Sequence, residues 1–81
     1  MRLVIVTWLD ACSRRTDGRW SDTEDVKELA PLICKSVGWL ISDEPTHITI
    51  AGHLGETNAG GDICIPRVCV TSITDLKDDG E

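Results

Sequence analysis

Apolar residues recur with a period of two along most of this chain. Residues 2–9 place Leu3, Ile5, Thr7 and Leu9 on one side and Val4, Val6 and Trp8 on the other. A strand with apolar groups on both faces is predicted to be central in its sheet. Residues 33–42 repeat the pattern, with Ile33, Val37, Trp39 and Ile41 pointing one way and Cys34, Ser36, Gly38 and Leu40 the other. The second of these faces is small along much of its length and suits close approach of another backbone. After a turn at 42–45 that contains Pro45, residues 46–51 read as a third strand, with Ile48 and Ile50 inward and His47 and Thr49 outward. Ile63 and Ile65 alternate in a fourth strand, 62–65, and Pro66 then removes a backbone donor and turns the chain. A last strand runs from the bend at 66–68 to about Leu76. Val68 and Val70 share a parity that Ile73 does not, which predicts a bulge near Thr71.

The period changes once. Ser21 with Glu24 three residues on has the spacing of a capping box, and Asp22, Glu24 and Asp25 would complement the dipole of a first helical turn. Val26, Leu29 and Ala30 then share a helical face, and Pro31 ends it. This predicts a helix over about 22–30. Two stretches lack periodicity: the polar segment 10–20, and residues 52–61, which hold four glycines and Asn58 and read as a long loop. A charged tail occupies 77–81. The whole of 1–81 is then a single domain, mainly β with one short α-helix. Its element order is that of a small five-stranded barrel of the SH3-like or Sm-like kind.

Composition sharpens this picture. An 81-residue chain has a small core, and with Phe and Tyr absent that core must come from Ile, Val, Leu and the three tryptophans. Three tryptophans and two-sided strands exceed what one small barrel buries, so a homo-oligomer is expected. A formal net charge of −6 argues against binding a nucleic acid polymer, whose phosphates draw affinity from Lys and Arg. No apolar run approaches membrane-spanning length, and residues 1–9 lack the apolar core and cleavage site of a secretion signal, so a cytoplasmic location is expected. In that compartment Cys12, Cys34, Cys64 and Cys69 are expected as thiols. The closest pair, Cys64 and Cys69, has no histidine at finger-like spacing, so neither a metal site nor a cofactor is predicted.

Candidate chemistry gathers where the sign of charge reverses. Arg14, Arg15 and Arg19 lie in one polar segment with Trp20. Guanidinium groups hold phosphate or carboxylate bidentately, and an adjacent indole offers a stacking surface. The competing reading is a solvated loop whose arginines balance Asp10, Asp17 and neighbouring acids. Trp8 has two readings as well, as packing in the core or at a subunit contact, or as a platform at a pocket mouth. Asp10, Ser36 and Asn58 are candidates for polar contacts to a ribose or base, and Arg67 at the bend is a further candidate for phosphate. His53 lacks a nucleophile or paired carboxylate at a telling spacing and reads as a surface residue.

The combination of Val-Thr-Trp-Leu-Asp-Ala at 6–11, Trp20, Ser-Val-Gly-Trp-Leu at 36–40 and the Ile65-Pro66 bend resembles small accessory proteins common in tailed-phage genomes. The resemblance covers most of the chain and its motifs are structural, so no residue inherits a catalytic role. It implies a protein acting in the host cytoplasm, one candidate role being inhibition of host defence. The arginine–tryptophan segment makes the leading expectation a non-enzymatic protein that sequesters a small nucleotide signal of cyclic-nucleotide or ADP-ribose type in a pocket between subunits. The alternative is an interaction module that inhibits a host enzyme or serves as a virion or assembly factor.

Overall fold

The computed structural model describes residues 1–13 and 17–77. Five strands, β1 (Leu3–Asp10), β2 (Leu32–Asp43), β3 (His47–Leu54), β4 (Ala59–Pro66) and β5 (Val70–Asp75), form one antiparallel sheet in the order β4-β3-β2-β1-β5. One helical turn, α1 (Thr23–Val26), lies in the β1–β2 connection, and a 3-10 turn at Arg67–Cys69 joins β4 to β5. The protein is therefore mainly β, with β1 interior to the sheet as its two-sided pattern predicts. No helix among the described residues is long and apolar enough to cross a membrane.

The core consists of Val4 and Val6 from β1, Ile48 and Ile50 from β3, and Ile65 from β4, none more than 2% exposed. Leu40 of β2 and Val70 and Ile73 of β5 pack against this cluster, so all five strands contribute to it. The helix buries none of its residues and so provides no lid. A flat sheet cannot cover its own face; the sheet must curl until its strands enclose the cluster. Gly38 sits at a close approach of β2 and β3. It pairs with Val4, and a Cβ at this position would lie 2.8 Å from the Ala51 carbonyl oxygen. A side chain there would push β3 away from β2.

The curl is not a closed ladder. The edge strands β4 and β5 share the core, but they are the two ends of the strand order and are linked through the 3-10 turn. Pro66, without an N–H, ends β4 at this point. Arg67 then fastens the connection to the β2–β3 turn: its N–H donates to the Thr46 carbonyl at 2.9 Å, and its guanidinium donates to the Glu44 carbonyl at 2.9 Å and to the Asp43 carboxylate. Across the other edge pair, the β1–β5 register shifts between Thr7↔Ser72 and Trp8↔Val70. Thr71 is the extra residue of the bulge predicted there, and its hydroxyl donates to the Thr7 carbonyl at 3.0 Å. At the opposite end of β5, Arg2 Nε donates to Asp75 at 2.7 Å; that hydrogen bond, then the carboxylate's charge, raises the Arg2 pKa.

Two expectations need correction. The helix predicted over 22–30 is the single turn α1, with Asp22 rather than Ser21 at its N-cap and no side-chain capping bond. Beyond it the backbone tightens to i→i−3 bonds, Glu28 to Asp25 and Leu29 to Val26. Val26 and Leu29, the intended apolar face, are 44% and 40% exposed. With no surface to pack on, a short helix has too little stability to propagate.

The second correction concerns residues 52–61, which form the end of a β-hairpin rather than an irregular loop. His53 pairs with Gly60 and Leu54 with Ala59, and Gly55 N–H donates to the Asn58 carbonyl at 2.8 Å to close the turn. The last pair between β2 and β3 is Trp39↔Ala51. Beyond it β3 and β4 continue as a two-stranded ribbon. Gly61 stands where the ribbon departs, with φ of 63°, a conformation that disfavours any residue with a Cβ.

Candidate functional site

The polar segment after β1 is built around one turn. Gly18 takes φ of 74°, open to a residue without a Cβ, and Arg19 N–H donates to Asp17 Oδ1 at 3.0 Å. The Arg19 guanidinium also approaches Asp17 Oδ2 at 3.7 Å while remaining 77% exposed. An ion pair this open is worth about 0–1 kcal/mol, so a stronger anion can displace the carboxylate. Cys12 Sγ donates to the Ala30 carbonyl at 3.0 Å and so pulls the two ends of the β1–β2 connection together. Between them lies an open depression of about 360 Å³, rimmed by Cys12, Ser13, Gly18, Arg19 and Ser21 and reaching Val26 and Leu29. Trp20, next to Arg19, is 96% exposed.

The segment thus presents one guanidinium, hydroxyl groups, apolar side chains and an uncovered indole within a few residues of one another. Arg14 and Arg15, the other two arginines assigned to phosphate, lie outside the described residues.

The remaining candidates are distributed differently. Trp8 is half-buried against the core, and its indole N–H donates to Ser36 Oγ at 3.0 Å. These two are brought together, in a bond that satisfies the polar tip of a packed aromatic side chain. Asp10 ends β1 opposite Leu32 and is exposed. Arg67 is engaged with Asp43 and Glu44 as described, which gives it a structural role in closing the β2–β3 turn. Asn58 belongs to the other end of β1: with Met1, Ile41 and Leu54 it lines a second open depression of about 350 Å³. At about 3.3 Å per residue, the eight residues of β1 put roughly 25 Å between this end and the one near Cys12.

The sequence reading missed the ribbon and with it the second depression. The signal available was weak, since Gly52, Gly55, Gly60 and Gly61 give no alternation of side chains by which a strand pair is recognised. His53 lies on the ribbon and is exposed. The four cysteines are free thiols, and among the described residues no group of three or more His, Cys, Asp or Glu side chains is placed to hold a metal ion. Comparisons with known protein families, with curated proteins and with solved structures return no match.

Proposed function

We propose that this chain is a non-enzymatic binding protein of a tailed phage that sequesters a small nucleotide signal of the host's defence in the host cytoplasm. The observation that carries the reading is the depression at Cys12, Ser13, Gly18, Arg19 and Ser21 with Trp20 uncovered beside it. Its volume of about 360 Å³ falls in the range of small-molecule sites. Arg19 supplies a bidentate donor for phosphate, the hydroxyls of Ser13 and Ser21 supply polar contacts, and the indole of Trp20 supplies a stacking face. The depression is open, so a second subunit is needed to enclose a ligand there. In the same reading the curled sheet is an open SH3-like or Sm-like barrel. Its support is the strand order and the turn that replaces a direct β4–β5 hairpin.

The test is titration calorimetry with cyclic dinucleotides and cyclic ADP-ribose-type compounds, comparing the wild type with Arg19→Ala. A hydrogen-bonded contact to a charged group contributes about 1.5–3 kcal/mol, so the substitution should weaken binding by at least tenfold while the far-UV spectrum is unchanged. Equal affinity of the two proteins would remove Arg19 from the site. Release of a chemically altered nucleotide would replace sequestration with catalysis.

A further inference from the structure

The outward side of the sheet is only partly covered: Leu3, Ile5, Thr7 and Trp39 are half-buried, and their neighbours towards Ile33 are exposed. On β1 it presents Leu3, Ile5, Thr7 and Leu9, and the register sets these opposite Trp39, Val37, Lys35 and Ile33 of β2. On β5, Thr74 and Ser72 extend the rows of Ile5 and Thr7. Ile33 is 73% and Val37 55% exposed, and Leu9 and Ile41 are exposed as well. A sheet face that looks onto water normally alternates polar residues with the buried set. This one is apolar in six of the eight positions that β1 and β2 supply.

Its charge is equally selective. The chain holds 14 acidic residues against 8 basic, yet none of the ten outward positions that the β1–β2 and β1–β5 registers align is acidic, and Lys35 is the one charged side chain among them. Two molecules of net charge −6 repel over most of their surfaces. This face is where they can approach without bringing carboxylates together.

The surface area gives the scale. The chain exposes 6214 Å², whereas a folded monomer of 8.9 kDa is expected to expose about 4,800 Å². The radius of gyration, 16.4 Å, likewise exceeds the roughly 12 Å expected for a compact domain of this length. Part of that excess belongs to the ribbon at 52–61 and to the β1–β2 connection, which are exposed as well; a standard interface removes approximately 800 Å² per partner.

We infer that the outward face of β1 and β2 is the contact between two copies of this chain, packed sheet on sheet about a two-fold axis. In such a contact Leu3, Ile5, Val37, Trp39 and Ile33 of one copy interdigitate with the same set from the other, with the sheets about 10 Å apart. Lys35, opposite Thr7, would have to lay its aliphatic stem along this surface to carry its ammonium out to water. The inference does not depend on a nucleotide ligand, because the mass of the ligand-free protein decides it.

Sedimentation velocity of the purified protein, with far-UV circular dichroism as the folding control, makes the test. The wild type should sediment at twice the chain mass or an even multiple of it, and Val37→Glu at half the wild-type mass with the same spectrum. Because like-charged copies repel elsewhere, added salt should strengthen the wild-type association rather than weaken it. Ile33→Ser is a milder second variant at a position already open in the single chain. It should raise the dissociation constant by about tenfold or more, since each two-fold contact loses the side chain twice. A wild-type monomer at all concentrations, or an oligomer that both substitutions leave unchanged, would overturn the assignment. So would a complex with a different polypeptide that covers this face in place of a second copy.

Discussion

The two faces of β1 are chemically alike and structurally opposite. Val4 and Val6 are fully buried, whereas Leu9 on the alternate face, and Ile33 paired with it, are 37% and 73% exposed. The strand is apolar on both sides, so its composition does not distinguish them. What differs is the cover: the core cluster packs on the Val4–Val6 side, whereas Leu3, Ile5 and Thr7 on the other are only half-buried. Burial in so small a domain is set by how far one sheet can bend round itself.

Three substitutions sharpen this contrast. The largest effect belongs inside. Ile48 is fully buried at the centre of the core, and Ile48→Ala should cost about 2–5 kcal/mol of unfolding free energy in a urea titration, through lost transfer energy and the cavity left behind. A cost near zero would mean that the curl does not enclose this residue in solution. Next comes the close approach of β2 and β3. Gly38→Ala sets a methyl group 2.8 Å from a backbone oxygen that cannot swing away, and should cost about 1–3 kcal/mol by the same measurement. Wild-type stability would show that β2 and β3 separate at little cost. The smallest effect belongs outside. Ile33→Ser should change the folding free energy of the dissociated chain by less than about 0.5 kcal/mol, even though it weakens association. A loss as large as that of Ile48→Ala at high dilution would mean that the outer face is covered within one chain.

Much of the strand content was legible because period-two alternation survives wherever one face is buried. Ile48 and Ile50 against His47 and Thr49, Ile63 with Ile65, and the parity change that marks the Thr71 bulge all follow from that rule. The ribbon at 52–61 escaped it because both its faces meet solvent. Its pairing rests on ladder hydrogen bonds, which leave no trace in side-chain identity. The helix erred in the opposite direction. Val26, Leu29 and Ala30 have helical spacing, but spacing stabilises a helix only when its face has something to pack against. For the candidate site, the loop of Arg19 and Trp20 was legible as a reversal of charge in an acidic chain. Its separation from Asn58 by the length of β1 was not, since that distance depends on which end of the sheet each loop leaves.

Local sequence by itself determined which residues extend where one face is buried, where Pro66 turns the chain, and where the last strand carries an excess residue. These are decided by φ restriction, missing donors and the parity of neighbours, all of which act over a few residues. Only the tertiary structure decided which apolar face became the core. Val4 and Leu3 are adjacent and similar in hydrophobicity; what separates them is which side of the sheet meets Ile48, Ile50 and Ile65 from β3 and β4, and Val4 lies on that side.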